Sequence, residues 1–266
     1  MIHTIVKHKP TRLFLFLGGF FITNALIAEV IGVKIFSLEK TLGFSPLQLH
    51  LFGNELSFNL TTGVLLWPVV FIMTDIINEY YGVKGVRFLS WLTAGLIAFT
   101  FLVFVFAIKL SPADFFVTSK QGSGVPNMQT AYSSVFGQGI FIIAGSLTAF
   151  MLGQLVDVVV FHKIKKHTGE KSIWLRSTGS TIVSQFIDSF VVLFIAFYIG
   201  TRVNNQGNDF VWPFKLFIAV GLMNYLYKFI IAILMTPVIY WVHNWIEKYL
   251  GHEQAAAMKK AAMQDN

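Results

Sequence analysis

The stretch "FIMTDIINEYYGVKGVR", Phe71 to Arg87, closes one apolar run and leads through Lys84 and Arg87 into another. The runs on either side set the fold class, because a bilayer core about 30 Å thick takes about 20 apolar residues of helix. Asp75 and Glu79 stand four residues apart, a spacing that puts both on one face of a helix. Two acids at the end of a hydrophobic run are costly there unless they are solvated, paired or used.

Composition supports the membrane reading. The chain has 266 residues, is 55% hydrophobic and only 12% charged, and carries 28 Phe. Soluble domains are about a quarter charged, and the mean hydropathy here is +0.66. The absence of Cys excludes disulfide scaffolds, thiol catalysis and Cys-ligated metals. The first apolar run continues past the length of a signal-peptide core without a small-residue cleavage site, so it reads as a retained helix. The net charge of +7 reads as basic cytoplasmic loops rather than as a nucleic-acid surface.

The expected fold is an all-α integral membrane protein with six transmembrane helices in one domain, 1–250. The spans fall roughly at 13–36, 62–80, 86–110, 139–162, 177–200 and 212–236. Pro237 ends or kinks the last span, and 237–250 reads as an interfacial helix with Trp and Tyr at headgroup level. Residues 251–266 read as a polar tail, frayed or disordered. "LQLHLFGNELSFNL" alternates around Gly53-Asn54 and predicts a short hairpin. One set of connections carries Lys7, Lys9, Arg12, Lys84, Arg87, Lys163, Lys165, Lys166, Lys171, Arg176, Lys248, Lys259 and Lys260. The opposite set carries only Lys34, Lys40, Lys109, Lys120, Arg202 and Lys215. The positive-inside rule then places both termini in the cytoplasm.

Polar residues inside the predicted spans are numerous: Asn24 and Glu29, then Asp75, Asn78 and Glu79, then Gln154 and Asp157, then Ser180, Ser184, Gln185 and Asp188, then Asn224 and Lys228. "QLVD" (154–157) and "QFID" (185–188) each put an amide and a carboxylate three residues apart on one helix face. Amides donate and accept, whereas ionised carboxylates only accept. Such a set suits a planar heterocycle with adjacent N–H groups and a carbonyl, a guanine-like edge, with Phe, Tyr and Trp stacking on its faces. Structural roles compete with this reading. Asp75 and Glu79 could be solvated or pair with Lys84 and Arg87, and Asp157 could pair with Lys228 or Arg176. Glu29 could pair with Lys34 or Lys228, or serve as a protonatable group. Asn24 and Asn224 could be interhelical hydrogen bonds. Pro68 could kink the second span. His162 and His167 read as solvated, and no further acids stand near Asp75 and Glu79 to build a metal site. No metal or other cofactor is expected.

"TDIINEYYGVKGVR" resembles the signature of the queuosine precursor transporter family, also called the vitamin uptake transporter family. The resemblance extends through "TNALIAEVIGVKIF" with Asn24 and Lys34, "WPVVF" with Pro68, "GSLTAFMLGQLVDVVVFHKIK" and "WLRSTGSTIVSQFIDSFVVLFIAF", over roughly 13–240. The long loop between the third and fourth spans and the tail are less familiar. The resemblance implies a six-helix bacterial inner-membrane protein that takes up 7-cyano- or 7-aminomethyl-7-deazaguanine for tRNA modification, without itself touching nucleic acid. It also implies similarity to the substrate-binding subunits of energy-coupling-factor vitamin transporters, which is a fold analogy only.

These readings converge on a substrate site of Asp188 and Gln185 reading the ligand edge, Asp157 and Gln154 completing it, and Asn24, Asn224 and Lys228 hydrogen-bonding the ligand or neutralising an acid. Asp75 and Glu79 would gate or couple at the cytoplasmic mouth, with Arg176 anchoring the fifth span. One alternative is a vitamin-binding subunit served by a separate ATPase, since the chain has no GxxxxGK[ST] loop. Another is an intramembrane enzyme using Asp75 and Glu79, although no nucleophile with an adjacent base and no HExxH motif is present. No catalytic residue is assigned. The third span carries almost no polar groups inside it, so it could face lipid or a second copy in a homodimer.

Overall fold

The computed structural model describes residues 7–168, 172–203 and 211–264. Lys171 of the basic set lies outside them. Long helices dominate: α1 (Lys9–Ile31), the short α2 (Leu38–Thr41), α3 (Trp67–Lys109), α4 (Asp114–Thr118) and α5 (Met128–Phe136). They continue with α6 (Ile140–Thr168), α7 (Ile173–Leu193), α8 (Gly200–Val203), α9 (Phe214–Leu234), α10 (Thr236–Leu250) and α11 (His252–Gln264). Among the described residues, five stretches are long and apolar enough to cross a membrane: Lys9–Ile31, Trp67–Lys109, Met128–Thr168, Trp174–Val203 and Phe214–Leu234. The protein is an all-α membrane protein.

The second and third predicted spans form one helical element, α3, of 43 residues. At about 1.5 Å per residue it would run twice the thickness of a bilayer core if straight. It is not straight: Gly82, at φ 68° and ψ −174°, breaks it inside the "EYYGVKG" turn. Glycine alone reaches this conformation without a Cβ penalty. Pro68 stands in the first turn of α3, where a missing N–H costs nothing, so it starts the helix rather than kinking it. Pro237 likewise opens α10 after the last long helix stops at Leu234.

Two ends of the bundle follow from these contacts. At the Gly82 end, α11 packs against α3, burying Ala255 and Ala262, and the Ala262 backbone lies beside Gly82. Lys9 and Arg12 at the start of α1 lie over the Tyr249 ring of α10. The tail is therefore an ordered helix over 252–264, which corrects the frayed reading. Its Ala spacing presents a smooth face to a backbone break that a larger side chain could not approach.

The opposite end carries two small antiparallel ladders. β1 (Ile35–Ser37) pairs with β4 (Asn59–Thr61), and β2 (Leu49–Leu51) pairs with β3 (Asn54–Leu56) around Phe52-Gly53, as the alternation predicts. β1 takes residues that the first predicted span had claimed up to 36; α1 stops at Ile31. Glu39 ties this cap together by accepting from the Phe58 N–H at 2.7 Å and from Ser37 at 3.0 Å. A second apolar cluster of Leu60, Val64 and Tyr227 pins the cap to α9.

The main core lies between α1 and α3. Leu13, Leu17, Phe21 and Ala25, four residues apart, pack on Val70, Ile76 and Ile77. In lipid, which is as apolar as leucine, such contacts hold through close packing rather than through exclusion of water. Outward faces carry Phe88, Trp91, Phe99 and Phe106, exposed in the isolated chain.

Candidate functional site

A polar seam runs between α3, α6 and α7. It starts at the Gly82 end with Glu79, which is 1% exposed. Arg176 of α7 donates to both carboxylate oxygens, through Nε at 3.2 Å and Nη2 at 2.8 Å, and Lys165 of α6 sits 3.0 Å away. Bidentate charge-assisted pairing of this kind is the strong form of an ion pair. Beside it, His162 bonds Asn78 at 2.9 Å and His243 of α10 bonds the Tyr80 hydroxyl at 3.0 Å. Burial pushes the His243 imidazole down to about 4. The middle of the seam holds Asp75 and Asp157 among α7 hydroxyls, and Gln154, whose Oε1 accepts from Thr74 at 2.9 Å.

The seam ends in a cavity of about 360 Å³ below the strand cap. Its floor is the ion pair of Asp188 on α7 with Lys228 on α9. Glu29 of α1 enters from the side and accepts from Ser146 of α6, while Gln138 donates to the Glu29 backbone carbonyl at 3.1 Å. Asn224, Trp67 and Phe197 complete the polar and aromatic lining. Phe197 faces the cavity from a π-helical turn, Phe194–Ile199, that continues α7. Such turns are rare and concentrate at functional sites because the extra residue re-aims side chains. The mouth depends on Gly63, where a Cβ would lie 2.5 Å from the Ala28 carbonyl oxygen. Only glycine lets the turn Thr62–Leu65 approach α1 this closely. Glu29 and Asp188 give the lining two carboxyl groups to one ammonium, a surface rich in acceptor oxygens, so its chemistry favours a ligand rich in donors.

A family model described as "Putative vitamin uptake transporter" matches residues 61–242. The chain belongs to this family. The matched region takes in α3, α6, α7 and α9, which carry the seam except for Glu29 and His243, and leaves α1 and α11 outside it. Among curated relatives, a "Probable queuosine precursor transporter" of Bacillus subtilis (strain 168) is 28% identical over 181 residues, 68% of this chain and 70% of its own. One of the same name in Haemophilus influenzae (strain ATCC 51907 / DSM 11121 / KW20 / Rd) is 29% identical over 188 residues, 69% of this chain and 68% of its own. The "Queuosine precursor transporter" of Escherichia coli (strain K12) is 25% identical over 190 residues, covering 70% and 74%. No solved structure matches the chain. Family and relatives are described as transporters, which sets aside the enzyme reading of Asp75 and Glu79.

Of the residues that the sequence assigns to the substrate site, Asp188, Lys228 and Asn224 line the large cavity of this family member. Gln185 lies behind Lys228, lining a void of about 10 Å³ with Thr181 and Pro68. Gln154 and Asp157 lie deeper, as does Asp75. Asn24 and Asn224 donate to carbonyls of their own helices, Phe20 and Val220, at 2.8 and 3.0 Å, rather than across helices. Several pairings differ from the structural alternatives. Glu79 meets Lys165 and Arg176 instead of Lys84 and Arg87, and it is buried rather than solvated. Asp157 takes a hydroxyl, Ser184 at 3.0 Å, and Lys228 takes Asp188. His162 is buried. The sequence reading left Glu29, Ser146, Gln138 and Phe197 out of the site. Glu29 carried a signal, an acid deep in the first apolar run, but its partner Ser146 lies 117 positions away.

Proposed function

We propose that this chain is an uptake transporter for queuosine precursors, 7-deazaguanines with a small 7-substituent, in the bacterial inner membrane. The observation that carries the reading is the cavity floored by Asp188 and Lys228. A carboxylate beside an ammonium offers an acceptor and a donor side by side. A guanine-like edge presents the complement, N–H groups beside a carbonyl. Trp67 and Phe197 supply faces for the ring, and Asn224 a further amide. The relatives' names point to the same substrate class.

The proposed topology has six spans, counting the arms of α3 on either side of Gly82 separately. Both termini, the Gly82 turn and the α6–α7 connection then share one end, which carries most of the basic residues and is the cytoplasmic one. The cavity opens at the other end, toward the source of an imported solute. Transport requires the Asp188–Lys228 floor to part, bringing the ligand to Gln185 and onward along the seam. Glu79 and Arg176 close the cytoplasmic end. Exposed aromatic and aliphatic faces of α3 meet lipid.

The test is uptake of a radiolabelled 7-deazaguanine precursor in cells unable to make it, with vitamins as competitors. Expression of the chain restores uptake, and Asp188→Asn abolishes it. Normal transport by both Asp188→Asn and Gln185→Ala overturns the site. Competition by vitamins alone overturns the substrate. The family description keeps vitamin uptake as the second reading; for either substrate, uptake by the purified chain in liposomes excludes an obligatory separate ATPase.

A further inference from the structure

Below the cavity floor, Asp75 of α3 and Asp157 of α6 meet in the interior, 1% and 0% exposed, with their carboxyl groups within hydrogen-bonding reach of each other. α7 surrounds them with hydroxyls. Ser177, Ser180 and Thr181 donate to Asp75, the last two at 3.2 Å, and Ser184 donates to Asp157 at 3.0 Å. The neighbouring cations are engaged elsewhere: Lys165 and Arg176 on Glu79, one turn along α3, and Lys228 on Asp188, one turn beyond Ser184 on α7. Asp157 Oδ2 is buried without a hydrogen-bond donor among the described residues. A contact between two carboxyl groups is a hydrogen bond only when one of them carries a proton. Two adjacent buried charges of the same sign are otherwise among the most expensive arrangements in a membrane interior.

Resting on the transport reading above, we propose that Asp75 and Asp157 hold one exchangeable proton and that this pair is the coupling site through which a proton gradient drives uptake. The hydroxyl collar suits both states, because Ser and Thr oxygens donate to a carboxylate or accept from a carboxylic acid. The link to the ligand is α7 itself: Ser184, on Asp157, and Asp188, on the cavity floor, are one turn apart, about 6 Å along the axis. Proton occupancy at the pair and the position of the floor are thereby read by the same helix. Only an O–H bond is made and broken, with the proton taken up from the outer side and released to the inner side. The pair differs from the one anticipated in the sequence: the partner of Asp75 is Asp157, whereas Glu79 is held by two cations.

The experiment uses the purified full chain in liposomes with a radiolabelled 7-deazaguanine precursor. Counterflow exchange without gradients reports binding and passage. Imposed pH and sodium gradients report coupling. Wild type is expected to exchange, and to accumulate label when the outside is made acidic but not under a sodium gradient. Asp157→Asn keeps a group able to bond Asp75 but cannot exchange a proton. It is expected to retain counterflow and lose the pH response entirely, with Asp157→Glu restoring it. Asp75→Asn is the second variant should the first not fold. Accumulation driven by sodium alone, indifference of wild type to pH gradients, or an unchanged pH response in both Asn variants overturns the proposal. Absence of counterflow in wild type overturns the transport reading, and the proposal with it.

Discussion

The two ends of the polar seam use the same side-chain types to opposite effect. At the Gly82 end one carboxylate, Glu79, faces two cations, Lys165 and Arg176, and every member is 1% exposed. At the strand end Asp188 pairs with one cation, Lys228, while a second acid, Glu29, takes the Ser146 hydroxyl, and all three line an open cavity. Unmatched charge is poorly tolerated in a buried site. At the Gly82 end the extra cation is absorbed by bidentate geometry and close packing, leaving no space. At the strand end the second acid lies beside open volume that a ligand or water can fill. The same chemistry thus seals one end of the bundle and leaves the other receptive.

The largest expected effect comes from breaking the sealed end. Glu79→Gln strands two cations in the interior, and removal of one partner from a buried ion pair costs about 3–5 kcal/mol. Thermal unfolding in detergent should show a large loss of stability or no folded protein. A stability near wild type would mean that water reaches Lys165 and Arg176.

The His243–Tyr80 contact beside that cluster makes a second, pH-dependent break. The imidazole is held neutral by burial, with its pKa lowered to about 4 from 6.5. In the unfolded chain it protonates near 6.5, so between 6.5 and 4 the unfolded state binds the extra proton. The stabilisation is complete above 6.5 and is lost as pH falls toward 4, roughly 3 kcal/mol in all. Thermal midpoints measured across this window should fall more steeply in wild type than in His243→Gln. Equal slopes would place His243 in contact with solvent.

At the receptive end the order of effects reverses. Asp188→Asn leaves Lys228 beside a cavity rather than in packed protein. The expected cost to stability is about 1–3 kcal/mol, that of an imperfectly satisfied polar group, with uptake abolished. Parallel uptake and unfolding measurements on Asp188→Asn and Glu79→Gln would separate the ends. Equal stability losses in both would remove the distinction.

How much of this was legible in the sequence follows from which interactions are local. Apolar run length announced the membrane helices, and Gly53-Asn54 within an alternating run announced the β2–β3 hairpin. The run "RSTGSTIVSQFID" placed its polar residues on the face of α7 that lines the seam. Partner choice was not legible. Arg176 reaches Glu79 across 97 positions, and Lys228 reaches Asp188 across 40. Which carboxylate a cation meets depends on helix rotation and tilt, set by packing elsewhere. Glu29 joined the site because Gly63 allows the cap to press on α1, and Phe197 because α7 relaxes into a π turn. Neither feature has a periodic signature.

The smallest effect tests whether the sealed end extends into the tail. Lys259 of α11 pairs with Glu247 of α10 and lies 5.5 Å from the Tyr80 ring centroid, so the tail touches the same helix turn as Glu79. The pair is partly exposed, 12% and 26%, and so is screened. Pairs of this kind contribute about 0.2–1 kcal/mol. Lys259→Ala should therefore lower the unfolding midpoint only slightly and leave uptake intact, because α11 is also held by Ala255 and Ala262. A loss as large as that of Glu79→Gln would mean that the tail, rather than the ion-pair cluster, seals this end. The comparison between the two ends would then rest on α11 covering Gly82 instead of on charge balance.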